Sequence, residues 1–362
     1  MNRLKKIAII GGGIIGMTLA NYLDTNKYNV TLFDEPTGQA TSASAGIISP
    51  WLSKRRNQKW YQLAKDGAAF FPKLIQDFQL DDTIYQKSGT LIIRPAEKLD
   101  DLIDLAEQRK LSAPELGQIE KLSGEQTQLE LPLLKALPSI KISGGGRLDG
   151  KAYLAHLKNL AEKKGLTLIK KRVSLPEQLE EFDQIILTAG PHLKNLLAPL
   201  GYKVDLRPQK GQLLVFDTSI KMSSNYPVAM LDGEADLIPF MNGKILLGAT
   251  HENDAAWNLE PTREAFTQLT QSAEKFLADP QRLFNQPYHV RVGSRAYTSD
   301  FAPFFGQLNE QLLVASGLGS SGLTTGPYIG YLLAHYLNTG QKNWAIYQNE
   351  LATYIKEAAL DS

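Results

Sequence analysis

Ile7-Ala8-Ile9-Ile10-Gly11-Gly12-Gly13-Ile14-Ile15-Gly16 is the stretch that decides the fold. Four apolar residues of strand character run straight into a Gly-x-Gly-x-x-Gly turn. An amphipathic segment then continues through Met17, Leu19, Ala20 and Leu23. A second apolar run, Val30-Thr31-Leu32-Phe33, ends in Asp34 with Glu35 beside it. Strand, tight turn, helix, strand and acid in this order form the layout of a dinucleotide site. Gly11 makes the turn, Gly13 lets the backbone approach a pyrophosphate, and Gly16 lets the helix pack closely on the sheet. The free N–H groups and dipole of the helix N-terminus favour negative charge there. Asp34 stands where a carboxylate accepts hydrogen bonds from ribose hydroxyls. Which dinucleotide, and for what chemistry, the motif leaves open.

The chain has 362 residues, enough for a large core and for two domains or one elaborated one. With Lys+Arg 39 against Asp+Glu 38, no global field points to nucleic acid or an anionic membrane. The one local basic run is Lys54-Arg55-Arg56 with Lys59, between Trp51 and Trp60, and it reads first as a solvated face. The absence of cysteine excludes disulfides, thiolate catalysis and a cysteinyl link to a cofactor. The five histidines lack metal-binding spacing, so no metal site is expected. Ile7 to Ile10 is too short for a signal peptide and no run approaches the ~20 apolar residues of a membrane span. The expected location is the cytoplasm.

Strands alternating with helices are expected at both ends and in the middle. Residues 58–79 read as helical with Pro72 kinking or restarting the run, Gly89 to Ile93 as a strand, and 97–125 as helical and charged. Asp149 is placed to cap a helix through Leu154, Leu157, Leu160 and Ala161 that stops at Gly165. Thr167-Leu168-Ile169 and Gln184 to Leu187 are further strands, the second ending in Thr188-Ala189-Gly190-Pro191. From about 205 to 255 the pattern becomes antiparallel, with a strand Gly211–Phe216 and a hairpin across Asn242-Gly243. A helix through Phe266, Leu269, Ala273 and Leu277 follows.

Near the end, Leu312 to Ala315 enters a second glycine-rich turn, Ser316-Gly317-Leu318-Gly319-Ser320-Ser321-Gly322, before a helix from Thr324 to Leu337. A nicotinamide dehydrogenase needs only the first turn; a second helix N-terminus suits the anionic end of a reduced flavin. Upstream lies Arg291-Val292-Gly293-Ser294-Arg295-Ala296-Tyr297, in which Arg295 can hold a carboxylate by two parallel hydrogen bonds.

With these stretches the chain resembles the FAD-dependent D-amino-acid oxidase family, which includes glycine oxidase, sarcosine oxidase and the D-amino-acid dehydrogenases. Further matching segments are Ser42 to Pro50, Pro208-Gln209-Lys210-Gly211-Gln212 and Leu247 to Glu252. The resemblance implies an α/β (α+β overall) fold: a Rossmann-type FAD-binding domain from 1–50, 143–200 and 290–362, with an inserted antiparallel-sheet substrate domain from 51–142 and 201–289. It implies non-covalent FAD, with the pyrophosphate at Gly11, Gly13, Ile14, Ile15 and Gly16 and the adenosine ribose at Asp34 and Glu35. Thr41, Ser42 and Ala45-Gly46-Ile47-Ile48 would follow the flavin ring. Val173 would lie near the adenine, and Thr188, Ala189 and Gly190 beside the dinucleotide. Gly317, Gly319, Ser320, Ser321, Gly322, Leu323 and Thr324 would surround the pyrimidine end.

The resemblance makes Arg295 the group that grips a substrate carboxylate, orienting a small amino acid or amine for hydride transfer to flavin N5, with O2 or a quinone-like carrier as electron acceptor. His251 could deprotonate a substrate ammonium, although a structural role is favoured, and Tyr297, Tyr226 or Tyr288 could supply a carboxylate partner. Two departures stand out: the family usually has proline where this chain has Ala296, and often has tyrosine where this chain has Asp236, with Phe240 where a basic residue is frequent. Alternatives are an RNA-modifying flavoprotein of the same fold, with Lys54 to Lys59 touching phosphates, and a flavin-binding protein without amine oxidation. Substrate side chain, chirality and a homo-oligomeric state stay open.

Overall fold

The computed structural model describes residues 3–53, 57–174, 180–220, 223, 225–255 and 257–358. Its first sheet has six strands in the spatial order Phe304–Gln307, Leu312–Ser316, Gln184–Leu187, Lys5–Ile10, Tyr28–Asp34 and Thr167–Lys170. All neighbours run parallel except the outermost pair, Phe304–Gln307 against Leu312–Ser316. Parallel strands bury both faces. Ile7 and Ile9 accordingly enter one hydrophobic cluster with the helix residues Ile15, Leu19 and Leu333, while Ala8 and Ile10 enter another with Leu187, Leu193 and Val314. Lys5–Ile10 is flanked by the next strand in sequence on one side and by Gln184–Leu187 on the other. This topological switch opens a crevice at the carboxyl ends of the strands.

Helices Ile14–Tyr22, Gly150–Lys163 and Gly322–Thr339 cover one face. The Asp149 side chain caps the second of these, accepting from the N–H of Lys151 at 2.9 Å and of Ala152 at 3.2 Å, as its sequence position predicts. The first and third lie in backbone contact. A Cβ at Gly326 would come within 2.4 Å of the Ile14 side chain, and one at Gly330 within 2.9 Å of the Ile15 carbonyl oxygen and 3.0 Å of the Leu19 nitrogen.

The second sheet has eight strands, beginning Tyr288–Tyr297, Arg207–Asp217, Lys244–Gly248, Asp236–Pro239 and Val228–Met230, and continuing through Thr90–Ile93, Ser139–Ile142 and Ile119–Leu122. One face is sealed by helix Arg263–Glu274 through Leu269 and Ala273; the other looks toward the crevice. The expected hairpin is present, closed by a turn at Met241–Gly243. Helix Gln58–Ala69 restarts at Phe71–Phe78, with Pro72 in its first turn, where the missing N–H costs nothing.

Two sequence expectations need correction. The stretch 97–125 is helical over Leu99–Lys110 and from Gly124, but Ile119–Leu122 is an edge strand paired with Ser139–Ile142. Only its ends pack inward, so Glu120 and Lys121 hide the alternation. The helix expected to run to Leu277 stops at Glu274, and Leu277 is buried from the following loop. The domain limit expected at 290 falls inside strand Tyr288–Tyr297, which pairs along its length with Arg207–Asp217. Lys54, Arg55 and Arg56 lie outside the described residues, and Lys59 donates to Gln348 O at 3.0 Å and Asn349 Oδ1 at 3.1 Å. No helix among the described residues is long and apolar enough to cross a membrane.

The atoms facing Gly330 are backbone of Ile15 and Leu19 and the Thr18 Cβ, which is fixed to its backbone, so they cannot swing aside. Gly330→Ala is expected to destabilise the protein by about 1–3 kcal/mol through overpacking, checked as a lowered urea midpoint with an unchanged slope.

Candidate active site

The crevice between the two sheets is a cleft of about 880 Å³, in the upper range for ligand sites. One end is built by the first glycine turn. Gly11 has φ +107, a conformation L side chains rarely adopt, and a Cβ there would also meet the Thr188 carbonyl oxygen at 2.6 Å. Gly12 N–H donates to Asp34 Oδ1 at 2.8 Å, which ties the turn to the end of the second strand. Burial pushes the Asp34 carboxyl above its usual range, and that N–H opposes the shift. Helix Ile14–Tyr22 starts at Gly13 without a side-chain cap on its N-terminal residue, and Ile14 N–H finds Thr41 Oγ1 at 3.1 Å.

The other end is built by the second turn, where Gly317 and Gly319 both take positive φ and helix Gly322–Thr339 again begins without a side-chain cap. The two uncapped N-termini converge on one cleft because their helices cross at Gly326 and Gly330. Between them run Thr41 and Ala43 to Ile47, a small-residue segment pressed onto strand Gly146–Leu148. A Cβ at Gly46 would meet the Leu148 carbonyl oxygen at 2.3 Å.

Of the expected cofactor residues, Gly11, Gly13, Ile14, Ile15, Asp34, Glu35, Thr41, Ala45, Gly46 and Ile47 line the cleft. So do Val173, Thr188, Ala189, Gly190, Gly317, Gly319, Ser320, Gly322 and Leu323. Five do not. Gly16 lies beneath the turn, where a Cβ would strike the Gly11 carbonyl oxygen at 2.0 Å. Ser42 Oγ donates to Gln39 Oε1 at 2.5 Å, and Ile48 is core. Ser321 Oγ accepts from Trp60 Nε1 at 2.9 Å, and Thr324 is buried within its helix. These hold the cleft's shape from behind.

The antiparallel sheet forms the facing wall. Arg295 Nη1 donates to Thr250 O at 2.9 Å and Gln209 Oε1 at 3.2 Å, and among the described residues Nε and Nη2 donate to nothing. Burial lowers the guanidinium pKa, opposed by Tyr297, Glu252 and Glu234. Gly211 makes room for this side chain: a Cβ there would stand 2.5 Å from Arg295 Nη1. Ala296 replaces proline without breaking the ladder, since it pairs opposite Pro208.

His251 lines the cleft, but the three tyrosines do not. Tyr297 is buried behind Gly319, 2.6 Å from where that residue's Cβ would be. Tyr226 packs in the outer cluster, and Tyr288 stacks on Phe266 at 4.7 Å between ring centroids. Phe240 lies under the Arg147 guanidinium at 5.3 Å.

Three features were not foreseen. Glu234 lines the wall alongside Arg295, beside the Asp236 already marked as a departure. Trp257 reaches from the loop after strand Lys244–Gly248 to pack on His192, with centroids 4.4 Å apart and the rings tilted by 32°. Leu259 in the same loop packs on Gly38, 2.7 Å from where its Cβ would be. Lys210, fully buried, anchors this strap by donating to Glu260 O at 2.7 Å.

The chain matches the family described as DAO, FAD dependent oxidoreductase, over residues 6–336. It belongs to that family. It is 39% identical over 353 residues to the uncharacterized oxidoreductase YurR of Bacillus subtilis, covering 91% of this chain and 94% of that one. It is 26% identical over 357 residues to a glycine oxidase of Pseudomonas aeruginosa, covering 92% of this chain and 95% of that one. The crystal structure of iminodiacetate oxidase from Chelativorans sp. BNC1 superposes with a TM-score of 0.87 at 28% identity, covering 96% of this chain and 98% of that one. The protein is therefore an FAD-dependent oxidoreductase, and a nicotinamide dehydrogenase is ruled out.

The residues present fit the cofactor. Two helix N-termini whose N-cap residues offer no side-chain cap face the cleft, and Gly13 and Gly190 have no atoms closer than 3.6 Å where a Cβ would project. The strap would help retain it. Trp257→Ala removes an aromatic contact worth about 1 kcal/mol, so the FAD dissociation constant is expected to rise about fivefold, measured by recovery of free-flavin fluorescence on dilution.

Proposed function

We propose that the protein oxidises the Cα–N bond of a small amino acid such as glycine, sarcosine or a D-amino acid. The observation that carries this is the unused Nε/Nη2 edge of Arg295 in the wall of a cleft built for FAD. A carboxylate takes two parallel hydrogen bonds from such an edge, and the bond is strong because both partners are charged. Thr250 O and Gln209 Oε1 hold the guanidinium from the other side, so the fork is oriented before a substrate arrives.

The division of labour follows. Residues 1–50 and 143–200, with the chain after strand Tyr288–Tyr297, hold the cofactor, and the antiparallel sheet walls the substrate pocket. FAD, when bound, supplies the two-electron acceptor. Arg295 fixes the carboxylate and thereby the Cα–H direction; Gly211 leaves room for the guanidinium; Ile47 gives the cleft an apolar wall and is backed by the buried Leu246. The substrate nitrogen must lose its extra proton before the C–H bond breaks, and His251 at the cleft edge is one group placed to take it. The released imine hydrolyses in water.

An anaerobic screen of glycine, sarcosine, proline and D-amino acids should find at least one that bleaches the flavin. Arg295→Ala is expected to raise the apparent dissociation constant of that amino acid about a hundredfold, the loss of a charge-assisted pair at about 3 kcal/mol. Gly211→Ala, whose Cβ would meet the Arg295 guanidinium first, is expected to raise it about tenfold with flavin content and melting temperature retained. Unchanged affinity in Arg295→Ala for every bleaching amino acid would refute the assignment.

A further inference from the structure

The wall of the cleft carries opposite charges at two points that the sheet register puts on one face. Directly opposed residues of an antiparallel pair point to the same side, and alternate residues along a strand do too. Gln209 is opposed by Arg295, Gly211 by Gly293, Leu213 by Gly248, and Gly248 by Asp236. Arg295 and Asp236 therefore share the face that looks into the cleft, and both line it. The Arg295 guanidinium folds over Gly211, two strand spacings and two residues from Asp236. That separates the Gly211 and Asp236 backbones by roughly 12 Å. The Arg295 guanidinium and the Asp236 carboxylate both belong to the wall of the cleft. Among the described residues they form no ion pair, and the gap suits a small zwitterion lying between them.

Asp236 lacks a counter-charge of its own. Its carboxylate accepts one hydrogen bond, from Leu231 N–H at 3.1 Å, and no ion pair to it exists among the described residues. Arg94, whose charge acts on Asp236, is committed elsewhere: it donates to Ile93 O at 2.7 Å and Met230 O at 2.9 Å and pairs with Asp232 at 3.6 Å. Glu234, engaged by Gln268 Nε2, adds a second negative charge to this part of the wall, and His251 lies at the cleft beyond Gly248 and Ala249. Burial pushes the Asp236 carboxyl up to about 7, with the Leu231 N–H and Arg94 opposing. An enclosed carboxylate without a cation is costly, and a ligand that brings one relieves the cost.

We propose that Asp236 is the anionic pole of the substrate site and receives the cationic nitrogen of a zwitterionic substrate whose carboxylate is held by Arg295. This rests on the function proposed above. It makes the wall a sorter by charge pattern: an amino acid satisfies both poles, whereas a plain carboxylic acid of the same size meets Asp236 and Glu234 as like charges.

The test titrates the holoenzyme at pH 8 with two probes: the amino acid that bleaches the flavin, followed by anaerobic reduction, and acetate, followed by perturbation of the oxidised flavin spectrum. Asp236→Asn keeps the shape and the acceptor for Leu231 N–H but removes the charge. The variant is expected to bind the amino acid at least tenfold more weakly and acetate as tightly or several-fold more tightly. Asp236→Glu, which keeps the charge, is expected to retain preference for the amino acid. An unchanged ratio of the two dissociation constants in Asp236→Asn, or equal weakening of both probes in both variants, overturns the inference and leaves the proposed function standing. A wild-type holoenzyme bleached by no amino acid overturns the proposed function and this inference with it.

Discussion

The backbone contact between helices Ile14–Tyr22 and Gly322–Thr339 is the constraint from which the rest of the molecule follows. They come from opposite ends of the chain, and each begins at a glycine-rich turn on the same edge of the parallel sheet. Gly326 and Gly330 remove the side chains that would hold them apart, so Ile14, Ile15, Thr18 and Leu19 pack directly on the second helix. Neither helix is capped by the side chain of its own N-cap residue, and the close crossing brings both starts to one cleft. A long dinucleotide cofactor can then be addressed at two separated points by backbone N–H groups and helix dipoles. Gly67 continues the theme from helix Gln58–Ala69, where a Cβ would meet the Thr324 carbonyl oxygen at 2.5 Å.

Against this backbone-lined surface the antiparallel sheet supplies side-chain chemistry. Strand Arg207–Asp217 carries Gln209 and Gly211, which steer and accommodate Arg295 from the neighbouring strand, while Asp236 occupies the same face two strands away. Arg295 is held by one terminal nitrogen and leaves the rest of its fork to the cleft. The division of roles is physical. Backbone groups cannot choose among substrates as readily as charges can, and an anionic side chain in a phosphate-binding cradle would compete with the pyrophosphate for the same N–H groups.

Much of this was legible in the sequence, and the legible parts share a cause. Glycine where a Cβ cannot fit, as at Gly11 and Gly16, and aspartate where a helix starts, as at Asp149, are local requirements that a one-dimensional pattern records. So was the arginine, because Arg295 stands in a segment of small and aromatic residues. What the sequence hid depends on contacts between distant segments. Strand Ile119–Leu122 packs at an edge, and its two central charges mask it. Tyr297 looks equivalent to any site tyrosine until the turn at Gly319 is seen to lie between it and the cleft. The strap of Trp257 and Leu259 has no periodicity, and its purpose appears only when His192 and Gly38 are found beneath it. Asp236 was visible as a departure, but its lack of a cation was not.

The most direct measurement is a crystal structure of the FAD complex with a non-oxidisable carboxylate ligand bound. The account predicts FAD stretched between the turns at Gly11–Gly16 and Gly317–Gly322, and the ligand's carboxylate oxygens about 2.8 Å from Nε and Nη2 of Arg295, with Nη1 still on Thr250 O. A carboxylate bound elsewhere, with both of those nitrogens turned to protein acceptors, would contradict it.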